Sequence, residues 1–153
     1  SFDLIINMVD NCLSMCKNHS ILFLTDKNKL ITSLKEKHPN KIFHFKVEQH
    51  EVHGWLSAAD YGLLIREKSI TNLCASPTKY AEYLRAGLRV ISNGNTGCIA
   101  SKPEFNFNLI ISDLNSLNSL KKASSHELRE IINSSEYYFG KKQYLESYKK
   151  IIT

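Results

Sequence analysis

Apolar residues recur along the chain in two spacings that alternate. Over 2–16, "FDLIINMVDNCLSMC" repeats them every three or four positions, the period of an amphipathic helix. "SILFLTD" (20–26) is a short apolar run ending in a turn residue, which reads as a buried parallel strand. "KNKLITSLKEKHP" returns to helical spacing and is stopped by Pro39. "KIFHFKV" (41–47) alternates and predicts a second strand. A short helix at 51–60, "EVHGWLSAAD", leads to a third strand at 61–67, "YGLLIRE". A helix over 77–86 follows, then strands at 89–93, "RVISN", and 107–113, "FNLIISD". Two or three helices finish the chain, the first opened by a Ser124-to-Glu127 capping box and the last being "KKQYLESYKKII".

Strands separated by helical segments of this length imply a mainly parallel sheet with helices on both faces. The expected fold class is therefore α/β, a three-layer Rossmann-like domain. No internal repeat, low-complexity segment or linker divides the chain, so residues 1–153 read as one domain. Ligands on such sheets bind at the carboxyl ends of the strands, where helix N-termini point. That edge collects Asp26, Arg66 with Glu67, the turn at 76–79 and the "NGNTG" loop at 93–97.

Composition narrows the partners. The 153 residues are 42% hydrophobic and 23% charged, with a net charge of +5. That length supports a proper core. Positions 1–60 balance at 7 basic against 7 acidic residues, and the excess lies in the remainder. Without basic runs or interleaved arginine and aromatic residues, a nucleic-acid partner is not expected. A weak attraction to anionic ligands or lipid surfaces fits better. Cys12, Cys16, Cys74 and Cys98 show no paired metal spacing, and they read as reduced, mostly buried thiols of a cytoplasmic chain. No apolar run approaches the roughly 20 residues that span a bilayer.

The segment "SPTKYAEYLRAG" carries the chemistry. Ser76 caps a helix whose first turn is pre-set by Pro77, and Gly87 closes it. A capping box would place Glu or Gln at the third helical position, but Lys79 stands there, a cation beside the positive end of the helix dipole. A diphosphate at this end would receive the free amides after Ser76, including those of Thr78 and Lys79, with the Lys79 ammonium as countercharge. Glu82, one turn deeper on the same face, could accept two ribose hydroxyl hydrogen bonds. The plainer reading is an exposed i,i+3 ion pair of a few tenths of a kcal/mol.

"WLSAADYGLLIRE" followed by "ASPTKYAEYLRAGLRVISN" resembles the donor-binding half of GT-B glycosyltransferases, especially glycosyltransferase family 4 (group 1). The matching positions are Leu56, Ala59, Asp60 and Gly62, then Ser76, Pro77, Lys79, Glu82, Tyr83, Leu84, Gly87, Val90 and Ile91. The resemblance implies a C-terminal nucleotide-sugar-binding domain of a two-domain enzyme. That enzyme would transfer a hexose-type sugar with retention to a glycan or lipid-linked acceptor, with surface polysaccharide synthesis as its setting. Glu82 matches the second Glu of the family's E-x7-E motif, which implies ribose binding, and the amides near Ser76, Pro77, Thr78 and Lys79 would hold the diphosphate. No cofactor or metal is implied, since positive side chains and the helix dipole stabilise the leaving group. The resemblance assigns no catalytic residue here. Where the motif has its first Glu the chain has Cys74, so the sugar contact falls to Glu67 or Arg66, with Gly97 in a loop near the sugar. The chain begins inside its first helix, so the family's opening strand and its acceptor-binding N-terminal domain are expected to be absent, and the segment alone is expected to be inactive. The alternatives are a nucleotide-sugar 2-epimerase half on the same scaffold and a non-catalytic flavodoxin-like binding module.

Other features weigh less. His50 and His53 lack the zincin spacing and a third ligand, so they read as surface or helix-start residues. Trp55 reads as packing. No GxGxxG follows a strand and no GxxxxGK[ST] occurs, which excludes the common dinucleotide and P-loop sites. The tail from Tyr137 onward mixes aromatic residues with lysines. It is either a solvated helix packing its rings or a peripheral contact at the inner face of the cell membrane.

Overall fold

All five expected strands form, and the first four are shorter than the apolar runs that predict them. The computed structural model describes residues 2–75, 78–97, 108–110, 117, 120–140 and 145. Among the described residues, strands β1 (Ile21–Leu24), β2 (Ile42–Phe45), β3 (Tyr61–Leu64), β4 (Arg89–Ser92) and β5 (Asn108–Ile110) are interspersed with six helices. These are α1 (Phe2–Met15), α2 (Lys29–Lys37), α3 (Val52–Leu56), α4 (Ile70–Cys74), α5 (Thr78–Arg85) and α6 (Ser125–Phe139). Helix α4 has no counterpart among the expected elements. Ser76 and Pro77 lie outside the described residues, as does Cys98. The expected final helix also lies outside them, apart from Leu145.

Every strand pairing is parallel, so the α/β class holds, but the pairings form two sheets rather than one. Among the described residues β1 pairs with β2, while β3, β4 and β5 form a second sheet in that order. No helix of the described residues is long and apolar enough to cross a membrane.

Three apolar clusters bind the layers. Val9 and Leu13 of α1 meet Ile31 and Leu34 of α2 over Phe23 of β1 and Ile42 of β2. Ile21 stands opposite Ile42 in the parallel register, so these side chains share one face of the small sheet. Cys12 of α1 and Cys16 just past its end pack with Ile91 of β4 and Leu117, and Leu63 of β3 borders both clusters. Helix α1 thus touches both sheets. Burial and the neighbouring Cys16 push the Cys12 thiol up to about 11, which keeps it protonated at neutral pH. Cys74, by contrast, is exposed. The opposite face of the larger sheet carries Leu64 and Val90, covered by Tyr80 and Leu84 of α5 and Ile131 of α6.

Side-chain anchors fix these helices. Lys41 Nζ donates to the carbonyls of Leu13 and Cys16, both at 3.1 Å, placing a cation where the chain leaves α1. Asp10 joins α1 to the end of α2 through Lys37 at 2.6 Å and His38 at 2.7 Å. Lys37 first, then His38, hold its carboxyl below the ordinary value. Helix α5 closes in a Schellman arrangement: Leu88 N–H donates to Tyr83 O at 2.9 Å and Gly87 N–H to Leu84 O at 3.0 Å. Gly87 takes φ +80°, a conformation that favours glycine. The Ser124–Glu127 capping box forms as expected. The outer side of β2 leaves Phe43 and Phe45 exposed, and Trp55 packs on Phe45 with ring centroids 4.9 Å apart.

Gly62 explains the contact between α5 and β3. A Cβ there would lie 2.4 Å from Cδ2 of Tyr83, whose ring occupies that space. Gly62→Ala should therefore cost about 1–3 kcal/mol of overpacking in chemical denaturation. Combining it with Tyr83→Leu should recover part of that loss. Unchanged stability in Gly62→Ala would show that the ring does not fill the site.

Candidate functional site

The loops leaving β3 and β4 are fastened to one another at the carboxyl edge of the larger sheet. Arg66 N–H donates to Asn93 Oδ1 at 3.2 Å, and Asn93 Nδ2 returns a bond to the Arg66 carbonyl at 2.7 Å. Asn95 Nδ2 donates to the same carbonyl at 3.0 Å. A planar amide beside an extended backbone satisfies its donor and acceptor as a neighbouring strand would. The ladder between β3 and β4 is thereby continued by side chains after its own residues end. Gly94 N–H donates to Ser92 Oγ at 3.1 Å, and Gly94 takes φ +75°.

Helix α4 completes this edge. Ser69 caps it by accepting from Asn72 N–H at 3.1 Å. Asn72 Nδ2 donates to Glu67 O at 2.9 Å, and Arg66 Nη1 approaches Asn72 Oδ1 at 3.4 Å. Its last turn lies against the second loop: a Cβ on Gly97 would fall 1.6 Å from the Leu73 carbonyl oxygen. Glycine is needed there for backbone approach. That contact brings residue 97 beside the last turn of α4. Thr96, next to Gly97, is 1% exposed and its Oγ1 has no hydrogen-bond partner among the described residues.

Helix α5 follows directly, with Tyr80 and Leu84 buried on the sheet and Thr78 and Lys79 exposed at its start. Glu82 is partly covered. No ion pair joins Lys79 and Glu82, so the i,i+3 surface pair of the plainer reading does not form. Burial, and then the Glu82 carboxylate, push the Tyr83 phenol above its ordinary value. Tyr83 therefore stays protonated and donates to Leu63 O at 3.2 Å.

Of the residues picked from the sequence, Arg66, Glu67 and Gly97 meet around α4, while Thr78, Lys79 and Glu82 lie on α5. Arg66 is tied through its backbone to Asn93 and Asn95 and through its guanidinium to Asn72, so it braces the loops. Asp26 stands apart at the end of β1, paired with Lys46 at 2.7 Å. Asn72, Asn93 and Asn95 are the residues that sequence reasoning missed as individuals. Ser69 three places before Asn72 is the one local signal, a helix cap.

The described residues offer little else. No group of three or more His, Cys, Asp or Glu side chains there is placed to hold a metal ion. A shallow depression of about 300 Å³ lies beside α3, lined by Glu51, Gly54, Trp55 and Ala58. Its walls are one short helix and the residues flanking it, with a single ionisable side chain, so the convergent polar groups of a binding site are lacking.

Asn93→Ala would leave the partly buried Arg66 amide without its acceptor, a loss of about 1–3 kcal/mol in equilibrium denaturation. Amide exchange at Arg66 should accelerate in the same variant. Unaltered exchange there would mean that the amide clamp does not hold the loops. No protein-family model matches the chain, and no curated protein or solved structure matches it.

Proposed function

We propose that this chain is the nucleotide-sugar-binding domain of a retaining glycosyltransferase, a three-layer Rossmann-like domain resembling the donor half of the GT-B enzymes. Its parent would work in the cytoplasm, at the inner face of the cell membrane, adding a sugar to a glycan or lipid-linked acceptor of a surface polysaccharide. One observation carries the reading. Lys79 and Glu82 lie one turn apart on α5, and neither is paired with the other or with another side chain of the described residues. Opposite charges left unpaired at this spacing suit a ligand with an anionic end and a hydroxyl-bearing end.

A nucleoside diphosphate has that polarity. The Lys79 ammonium would take a phosphate oxygen, and the Glu82 carboxylate would accept from two ribose hydroxyls. In transfer, the bond from the anomeric carbon to the diphosphate oxygen breaks, and the leaving diphosphate keeps the electron pair. The acceptor oxygen bonds to that carbon, and its proton ends on the leaving phosphate. Positive groups at α5 would stabilise the charge that develops. No catalytic residue is assigned within this chain.

Titration with UDP, GDP, ADP and CMP, followed by calorimetry or amide shifts, tests the reading. One diphosphate should bind. Glu82→Ala should weaken it at least about tenfold, in keeping with roughly 1.5–3 kcal/mol for a hydrogen bond to a charged group. Lys79→Ala should weaken it less. A parent protein that binds none of the four at millimolar concentration would overturn the proposal and leave the non-catalytic module.

A further inference from the structure

Two buried thiols stand side by side where α1 ends, and the site on α5 uses neither. Cys16 lies just past the helix, and its N–H donates to the Cys12 carbonyl at 2.8 Å, so the last turn is closed. Residues four apart in such a turn project from one face. Cys12 is 7% exposed and Cys16 4%. A side-chain hydrogen bond joins the two thiols.

Apolar groups surround the pair. Ile91 and Leu117 complete the cluster, with Tyr61, Leu63 and Leu120 packed against it. The backbone oxygens of Leu13 and Cys16 are taken by Lys41 Nζ, both at 3.1 Å. No third His, Cys, Asp or Glu of the described residues is placed to join the thiols around a metal. A tetrahedral zinc or an iron–sulfur cluster therefore finds too few ligands among the described residues. Two sulfurs in an apolar setting suit a soft ion content with two ligands, and thiolates select Cu(I).

Helix geometry separates metal binding from oxidation. Side chains at i and i+4 have Cβ atoms about 5–6 Å apart. A disulfide needs about 3.5–4.5 Å, so forming one would unwind the turn that the Cys16 N–H closes. An ion bonded to both sulfurs at about 2.3 Å, the length of a zinc–thiolate bond, spans roughly 4.6 Å between them and leaves the turn intact. Helix ends fray, which gives the ion a way in.

We infer that Cys12 and Cys16 form a two-coordinate site for a soft monovalent cation, Cu(I), held between their sulfurs at the end of α1. On binding, each S–H bond breaks and its electron pair turns to the metal. The two protons leave to solvent, and copper keeps its oxidation state. Two thiolates and the ion sum to one negative charge. The Lys41 ammonium, near enough to favour a thiolate at Cys12, balances it. The site is independent of the ligand that α5 takes.

Cys74 is exposed and Cys98 lies outside the described residues, so the test removes both. The 153-residue chain carrying Cys74→Ser and Cys98→Ser is mixed, without oxygen, with Cu(I) held by bicinchoninate, and the copper withdrawn by the protein is measured. One equivalent should transfer, with X-ray absorption reporting two sulfur neighbours and no nitrogen or oxygen. Cys12→Ala or Cys16→Ala in that background should weaken binding by more than the roughly 100-fold that losing an outer-shell group costs. No transfer, transfer indifferent to both alanines, or nitrogen or oxygen at the metal would overturn the site. Where a variant does not fold, the unaltered chain is titrated with Ag(I), a redox-inert stand-in. The amides of Cys12, Leu13, Cys16 and Ile91 should then shift before that of Cys74. Shifts at Cys74 first, or none at the end of α1, would equally overturn the site.

Discussion

Helix α1 makes two half-sheets into one body. Its Val9 and Leu13 stripe closes the core over β1 and β2, and one position round the helix the Cys12 and Cys16 stripe closes the core over β4. Residues three and four apart share a helix face, so a 14-residue helix can offer two adjacent stripes to two surfaces. Each fully buried aliphatic side chain contributes about 1.5–3 kcal/mol relative to exposure. Among the described residues, β1 and β3 exchange no ladder hydrogen bonds. The coupling of the sheets therefore rests on these side chains, with Lys41 holding the segment where α1 ends.

The two edges of the larger sheet are held differently. At its amino edge, Arg89 Nη1 donates to the Tyr61 hydroxyl at 3.2 Å and to the Lys121 carbonyl at 3.0 Å. The same guanidinium pairs with Glu127, the residue that closes the capping box of α6. Charges at that edge are matched within the protein. At the carboxyl edge the loops are joined by neutral amides, while Lys79 and Glu82 stand unpaired on the following helix.

Much of this was readable from residue types. The capping box of α6, Gly87 at the end of α5 and the burial of Tyr80 and Leu84 follow from local rules about caps and helical faces. Strand positions follow from apolar runs, although the runs overshoot the ladders because Arg66 and its neighbours turn to loop bonding. The division into two sheets was not legible, since periodicity identifies strands and says nothing of which edges meet. Helix α4 escaped because five residues with no buried side chain leave no periodic signal. Asn93 and Asn95 were seen only as part of a glycine-bearing loop, because their role depends on the Arg66 carbonyl 27 and 29 positions away. The chemistry proposed for α5 was argued from spacing and resemblance, and the unpaired state of Lys79 and Glu82 adds to that argument.

Helix α1 should couple the two sheets into one cooperative unit. Native-state hydrogen exchange in low denaturant tests it most directly, read on β2 and β4 in the parent chain and in Leu13→Val. Coupling by α1 predicts that the slowest amides of both strands open with one free energy and one denaturant dependence, and that Leu13→Val lowers both together. A β2 opening that leaves β4 protected, with Leu13→Val affecting β2 alone, would show that the two sheets open separately and that α1 does not couple them.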